Sequence, residues 1–217
     1  MQTLTRDIVA HGLANRVLTE TQLARLLTGT PQRRYHLVNR AMNAGELLRL
    51  RRGSYVLAAP LRDEPAHPFA LAQAFDPGSY VSFETALAHH GWIPEAVHLI
   101  ANVTPGRKSF TCEQPAFGTF AFHPLAIASG YFLEWVDHWR IAEQSMLVAA
   151  PIRALTDLVC LRKVAWQGMG WLLEGLRVDA EKLRAVSGEQ LASLRLVYKH
   201  KRVREFLQAL GSELAHD

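Results

Sequence analysis

Apolar residues in the first part of the chain recur every three or four positions, the spacing of amphipathic helices. A first helix is predicted at residues 4–11, with Leu4 and Ile8 facing inward. A second helix is predicted to begin at Thr19-Glu20-Thr21-Gln22, which has the pattern of a capping box, and to end near Gly29. Two short helices are therefore expected before the next segment begins.

The next segment, PQRRYHLVNRAMN at 31–43, predicts a third helix with two contrasting sides. Thr30 can cap its N-terminus, and Pro31 suits its first turn because a helix leaves that N–H unpaired. At about 100° per residue, one arc would carry only polar and charged residues: Gln32, Arg33, His36, Asn39, Arg40 and Asn43. The opposite side would be filled by Tyr35, Leu37, Val38, Ala41 and Met42.

Arginines and amides are the side chains that pair with guanine and adenine edges, so the polar arc is predicted to meet DNA bases. An ordinary amphipathic surface helix would have the same pattern. The short helix upstream favours DNA binding over an ordinary surface helix, since two helices joined by a tight glycine-containing turn form a helix-turn-helix. Arg34 falls on the apolar arc, so it either reaches a phosphate past the helix N-terminus or pairs internally.

After Gly45 the pattern changes to that of strands. Residues 47–50 and 54–57 are short apolar runs joined through Arg51, Arg52 and Gly53, which predicts a β-hairpin. A hairpin that follows a recognition helix is a wing, and Arg49, Arg51 and Arg52 would hold phosphates from its edge and tip. Residues 1–58 are therefore interpreted as a winged helix-turn-helix domain that binds double-stranded DNA.

The distribution of charge agrees with this interpretation. The chain has a formal net charge of +4, but residues 1–57 contain nine arginines and three acidic residues, a net charge of +6. The remaining residues are slightly acidic, with a net charge of −2. Positive charge confined to the N-terminal segment indicates a polyanionic partner for that segment.

Residues 59–68 contain three prolines and several charges and are interpreted as a linker, followed by an α+β domain at 69–217. Helices are expected at 68–75, where Pro68 opens a short apolar run, and at 83–90 after a possible cap at Ser82. The expected strands, mostly antiparallel, lie at 97–104, 109–113, 119–123, 131–136 and 140–148. Four more helices are expected at 151–163, 166–177, 180–186 and from 189 onward.

The last of these helices carries a basic cluster of Arg195, Lys199, Lys201, Arg202 and Arg204. Such a cluster is usually a solvated face, and the alternatives are an acidic partner surface or a supplementary contact with nucleic acid. Residues 114–133 lack charged side chains, but prolines and glycines interrupt them, so no membrane span is expected. No export signal is evident, and the two cysteines give neither a disulfide framework nor a zinc spacing, which favours the cytoplasm.

Motifs for catalysis are scarce. His89 and His90 are adjacent, so a helix would direct them about 100° apart and they could not chelate one ion together. We find no nucleophile setting and no glycine-rich phosphate loop. No cofactor, metal or enzymatic activity is expected, although a nuclease centre built from Glu84, Glu113 and Asp157 stays open as an alternative.

Three strings resemble the AbiEi family, the antitoxins of type IV toxin–antitoxin systems. They are AGELLRLRRGSYVL at 44–57, SYVSFETALAHHGWIP at 79–94 and AAPIRALTDLVCLR at 149–162. The second is the most specific, with a tyrosine-led strand, a Ser-capped helix and a Gly-x-Ile-Pro exit. The resemblance runs from about residue 19 to 163, and it departs from the family at Ile152-Arg153, where Glu-Lys is usual.

The resemblance implies a protein with two roles. Its winged domain would bind inverted repeats in its own promoter and repress it, while the C-terminal domain would counteract a nucleotidyltransferase-like toxin, directly or indirectly. Two alternatives remain at this stage: a winged-helix-targeted, metal-dependent nuclease, and a ligand-sensing transcriptional regulator without an antitoxin role.

Overall fold

The fold is a mixed α+β arrangement, in agreement with the fold class predicted from the sequence. A computed structural model describes residues 1–94, 98–141 and 143–216. Contacts between residues divide the chain into two compact units, Met1–Pro77 with Trp139–Met146, and Gly78–His138 with Leu147–Asp217. The predicted domain boundaries at 58 and 68 stay predictions.

The first unit begins with three helices and a small antiparallel sheet. The elements are α1 (Thr3–Ala10), β1 (Leu18–Thr19), α2 (Glu20–Leu26), α3 (Pro31–Asn43), β2 (Leu47–Arg51) and β3 (Ser54–Leu57). The sheet has the order β1-β3-β2. The three predicted helices and the hairpin are confirmed, whereas β1 was not predicted because two residues are too few to establish an alternating pattern.

A single hydrophobic cluster holds these elements together. It draws side chains from every one of the three helices and all three strands, which explains why each helix is amphipathic: Leu4, Ile8, Leu18, Leu23, Leu27, Ala41, Leu47 and Leu57. The capping box predicted at the start of α2 is present, because Gln22 N–H donates to the Thr19 hydroxyl at 3.2 Å and Thr19 N–H donates to Gln22 Oε1 at 2.8 Å.

The segment expected as a linker is held by hydrogen bonds within the first unit. It contains a 3-10 turn, Ala59–Leu61, and precedes α4 (Pro68–Phe75). The backbone N–H groups of Asp63 and Glu64 both donate to Asn15 Oδ1, at 3.0 and 3.2 Å. The segment therefore follows a defined path along this unit.

The second unit contains most of a six-stranded sheet with the order β6-β7-β5-β4-β9-β8, of which residues 139–146 belong to the first unit. Its strands are β4 (Tyr80–Val81), β5 (Leu99–Val103), β6 (Phe110–Gln114), β7 (Gly118–His123), β8 (Val136–Ile141) and β9 (Gln144–Ala149). Its helices are α5 (Phe83–His89), α6 (Pro151–Arg162), α7 (Ala180–Arg184), α8 (Gly188–Val197) and α9 (Lys201–Leu214), with a π-helical turn at Trp171–Gly175. The sheet is mixed, since β4 pairs in parallel with β9 and β5 in parallel with β7, whereas β4–β5 and β6–β7 are antiparallel as expected.

Three other sequence-based elements need correction, and Val97 of the predicted strand 97–104 lies outside the described residues. Residues 131–135 form turns rather than a strand, since buried Arg153 takes up carbonyl groups there. The predicted strand 140–148 belongs to two strands, β8 and β9. Within 166–177 the helical residues are 169–175, most of them in a π-helical turn, and Gly168 directly before them has a positive φ of 86°.

The helix predicted from 189 onward is also two helices, α8 and α9, which are separated at Tyr198. The Tyr198 side chain is buried, and its backbone forms an isolated antiparallel bridge with Ile127. Continuing the helix through this residue would withdraw it from that bridge. The basic cluster of Arg195, Lys199, Lys201, Arg202 and Arg204 is exposed on both sides of this break.

A buried carboxylate, Asp157, occupies the centre of the second unit. Arg153 Nε at 3.0 Å and the Tyr198 hydroxyl at 2.6 Å donate to its Oδ1. The Tyr80 hydroxyl at 3.0 Å and the Ser82 hydroxyl at 2.7 Å donate to its Oδ2. Ser82 does hold the N-cap position of α5, but its hydroxyl bonds Asp157 and not the helix backbone. We call these five residues the Asp157 network.

Replacing Arg153 with Met should destabilise the protein by about 3–5 kcal/mol, because the Asp157 carboxylate would stay buried without its cation. The free energy of unfolding in urea measures this. Lys201→Met is the control, since the Lys201–Glu205 pair is exposed and should contribute less than about 1 kcal/mol. Equal losses for the two variants would contradict a structural role for the Asp157 network.

Stability should also fall above pH 10. Burial, and then the charge of Asp157, raise the pKa of both Tyr80 and Tyr198 well above the ordinary value of 10.0. Below pH 10 both states keep these protons. Above it the unfolded chain loses them while the folded chain keeps them, so the free energy of unfolding decreases by about 1.4 kcal/mol per pH unit for each tyrosine.

Urea unfolding at several alkaline pH values measures this slope, and Tyr198→Phe should remove about one tyrosine's share of it. Tyr35→Phe is the matched control, because Tyr35 is exposed. A slope that Tyr198→Phe leaves unchanged would show that these buried hydroxyls are not responsible.

Candidate nucleic-acid interface

The third helix has the limits and the polar surface that its sequence predicts. The Thr30 hydroxyl accepts a hydrogen bond from Arg33 N–H at 3.3 Å, and Pro31 occupies the first turn. Ala41 is fully buried against the core of the first unit. The members of the predicted polar arc are exposed except for Asn39, which is half-buried: Gln32, Arg33, His36, Asn39, Arg40 and Asn43.

Two residues of α3, Tyr35 and Arg34, need separate comment because neither fits a simple division into a polar and an apolar side. Tyr35 was placed with the buried residues, and this is wrong, because its side chain is 61% exposed. At 100° per residue it lies at the border of the apolar arc, where the core no longer covers the helix. Arg34 takes one of the two expected roles, an internal one: its Nη1 donates to the carbonyl of Gly29 at 3.3 Å.

The hairpin is confirmed, and its two-residue turn is Arg52-Gly53. Gly53 has a φ of 76°, a conformation that side chains other than glycine rarely adopt. The Gly53 carbonyl accepts a hydrogen bond from Glu20 N–H at 2.9 Å, which joins the hairpin tip to the start of α2. This bond places the tip at a defined distance from the helices.

A β-bulge divides the three arginines of the hairpin between its two faces. Arg49 pairs with Tyr55 and Arg51 with Ser54, with Leu50 as the extra residue. Since Tyr55 and Ser54 are neighbours on β3, their side chains point to opposite faces of the sheet. In an unbulged strand, Arg49 and Arg51 would share a face. Here they do not.

The face that carries Arg49 borders a groove between α3 and the hairpin, with a volume of about 320 Å³. We call it the α3–hairpin groove. Among the described residues that line it, Glu20 alone is acidic. Its polar and aromatic lining comes from both elements: Arg34, Tyr35, Asn39, Arg49, Arg52 and Tyr55. The structure therefore brings Asn39 of the predicted base contacts together with Arg49 and Arg52 of the predicted phosphate contacts.

The other predicted contacts lie outside this groove. Arg51 lines a different cavity of the first unit, of about 390 Å³, together with Ser54 and Arg16. The remainder of the polar arc does not line the groove either, although Gln32 Nε2 donates to His36 Nε2 at 3.0 Å along the exposed side of α3. Sequence reasoning missed Arg34 and Tyr35 as groove residues. Tyr35 lies at the border of the polar arc, but Arg34 falls on the apolar arc, and no signal in the sequence would have identified it.

The cations of this region are mostly without counter-ions. Within residues 1–94, 98–141 and 143–216, no carboxylate forms an ion pair with Arg33, Arg40, Arg49, Arg51 or Arg52. Arg16, in contrast, is paired with Glu143. Arg49 and Arg52 therefore bring unpaired guanidinium groups to the α3–hairpin groove, and such groups attract an extended anion.

The carboxylates considered for a nuclease centre have other roles or positions. Asp157 is fully buried in its network, Glu84 forms an ion pair with Arg162, and Glu113 lies on strand β6. In the described part of the chain, no group of three or more His, Cys, Asp or Glu side chains is arranged to hold a metal ion. Both cysteines are free, and burial raises the pKa of the Cys160 thiol to about 11.

Comparison with known proteins adds no relative. No protein-family model matches the chain, and a search of curated proteins gave no significant match. None of the described helices has the length and apolar character required to cross a membrane.

Proposed function

We propose that the first unit is a winged helix-turn-helix module that binds double-stranded DNA, and that the protein is a transcriptional repressor and antitoxin. The repressor would bind inverted repeats in its own promoter in the cytoplasm. The antitoxin would counteract a nucleotidyltransferase-like toxin encoded beside it. The DNA-binding part is supported by geometry and charge, and the antitoxin part by the resemblance to the AbiEi family.

The order of elements in the first unit supports a winged helix. A short strand lies between α1 and α2, and it completes a three-stranded sheet with the hairpin that follows α3. In winged helix-turn-helix proteins α3 enters the major groove while the hairpin lies along the adjacent backbone. The hairpin of this chain is joined to the start of α2 through Gly53, which suits that arrangement.

The observation that carries the proposal is the α3–hairpin groove with its unpaired arginines. Arg49 and Arg52 approach it from the hairpin, and Asn39 approaches it from α3. Guanidinium groups suit phosphate oxygens, and an asparagine amide suits the edge of adenine. A small carboxylate ligand would need only one cation. The arginines on the hairpin can instead bind the DNA backbone while the asparagine on α3 contacts the adjacent bases.

The antitoxin role rests on the resembling strings, two of which supply four of the five residues of the Asp157 network. Tyr80 and Ser82 come from the string at 79–94, and Arg153 and Asp157 come from the string at 149–162. The resemblance therefore includes residues that hold the second unit together, and Arg153 takes part in the network at the position where the family usually has Lys. This supports a related fold for the second unit, and the toxin is its proposed partner.

Arg52→Ala and Arg51→Ala should affect DNA binding differently, although they remove the same charge from neighbouring residues. Arg52→Ala should weaken binding to every duplex and lower the slope of log K against log salt by about 0.9, the value of one lost phosphate contact. Arg51→Ala should lower that slope by less than about half as much, because Arg51 faces the other side of the hairpin.

Fluorescence anisotropy measures both variants, with a duplex taken from upstream of the gene and an unrelated duplex of equal length. The wild-type protein should prefer the upstream duplex. Equal slopes for the two variants would contradict the assignment of the faces. The absence of binding by the wild-type protein at low salt would overturn the DNA-binding proposal itself.

The antitoxin proposal is tested by co-expression with the nucleotidyltransferase-like protein expected from the adjacent gene. Induction of that protein alone should stop growth, and co-expression of this chain should restore it. Arg49→Ala/Arg52→Ala should restore growth as well, if antitoxin activity resides in the second unit. Arg153→Met is the control for a folded second unit: where this variant fails to accumulate, it should not restore growth. Continued growth arrest with the folded wild-type chain would exclude the antitoxin role.

A further inference from the structure

Tyr35 stands out on α3 because it is a large aromatic residue left exposed beside a cationic groove. A single exposed apolar residue needs no explanation in itself. Tyr35, however, lines the α3–hairpin groove together with Asn39, Arg49 and Arg52. Its ring is also oriented, since it packs edge-on against the His36 ring with centroids 5.8 Å apart. His36 in turn accepts the hydrogen bond from Gln32.

Arg34 is the second residue of α3 on this side. Its bond to the Gly29 carbonyl uses one N–H of a guanidinium group that has five. The remaining N–H groups stay available at the groove, and the bond to Gly29 fixes the direction of the side chain. A guanidinium group held in this manner suits bidentate pairing with the O6 and N7 atoms of guanine.

Both residues occupy the beginning of α3, and the N-terminal residues of a recognition helix are those that reach base edges. Asn39 follows Tyr35 at the i+4 spacing, so the two lie on one side of the helix. Arg33 and Arg40, in contrast, belong to the part of the polar arc that does not border the groove.

We infer that Tyr35 and Arg34 determine the sequence preference of this protein for double-stranded DNA, with the Tyr35 ring against the methyl group of a thymine and Arg34 on a neighbouring guanine. The inference rests on the proposed function. It moves the base-reading surface from the centre of the predicted polar arc to the side of α3 that borders the hairpin. Arg49 and Arg52 then hold the phosphates next to the bases being read.

The test begins with a duplex that the wild-type protein selects from a randomised pool. Each thymine of the selected site is then replaced by uracil, which removes only the C5 methyl group. One replacement should weaken wild-type binding by about fourfold, the effect of uncovering one buried methyl group. Tyr35→Ala should bind the thymine and uracil duplexes equally, while Tyr35→Phe should retain the fourfold difference.

Arg34→Lys provides the matching test for guanine. It keeps the charge but loses the rigid planar fork of the guanidinium group, so the preference for guanine at one position should be reduced while the salt slope stays at the wild-type value. Arg33→Lys is the control on the same helix and should leave every base preference unchanged. Unchanged unfolding midpoints for these variants, all at exposed or half-exposed positions, would exclude misfolding as the cause.

Failure of the inference differs from failure of the proposed function. If Tyr35→Ala still discriminates thymine from uracil, or if Arg33→Lys alters the base preference and Arg34→Lys does not, the inference is overturned while DNA binding stands. A selected site without any thymine whose methyl group matters would overturn it equally. A wild-type protein that selects no sequence and binds no duplex would overturn both.

Discussion

Thr19 couples the helices of the first unit to its sheet. As the last residue of β1 it pairs with Ser54 of the hairpin, and as the N-cap of α2 it accepts the first hydrogen bond of that helix. The next residue, Glu20, donates its backbone N–H to Gly53 at the hairpin tip. The hairpin therefore cannot move relative to α2 without loss of both the Thr19–Ser54 strand pair and the Glu20–Gly53 hydrogen bond. Since α2 and α3 share one hydrophobic cluster, the same bonds also fix the hairpin relative to α3 and so set the width of the groove between them.

The second unit depends on a different kind of constraint, a charge enclosed by donors. Each oxygen of Asp157 accepts two hydrogen bonds, and the four donors come from α6, from the strand before α5, from the N-cap of α5 and from the residue that ends α8. Arg153 extends the same set of bonds to the carbonyl of Glu134 at 2.8 Å. Segments distant in sequence are thus joined at one carboxylate, and the geometry of that group limits how they can be arranged.

The sequence was informative wherever local physics decides the structure. The capping box at Thr19, the proline at the start of α3 and the turn at Gly53 act over a few residues, so the helices and the hairpin of the first unit could be predicted. The expected strand at 131–136 was wrong because a residue 19 positions away in sequence, Arg153, takes the carbonyl of Glu134. The break at Tyr198 was missed for a similar reason, since it depends on a bridge with Ile127.

The surface was harder to predict than the elements. A helical wheel gave the exposed side of α3 correctly except at Tyr35, but it contains no information about which edge of that side meets the hairpin. Alternation along β2 would have placed Arg49 and Arg51 together, because a bulge leaves no mark in a run such as LLRLR. Both errors have one origin, since a periodic pattern describes one element and an interface belongs to two.

The bulge has a consequence for the shape of the hairpin as well as for its charges. An extra residue in one strand increases the local right-handed twist of the pair. A flat ribbon could follow a straight anion, but the backbone of a duplex is itself a right-handed spiral, and successive phosphates turn away from any straight line. A ribbon that twists near its tip can keep its edge beside such a curved strand. Leu50, which carries no charge, would then set the curvature that lets Arg49 and Arg52 act together.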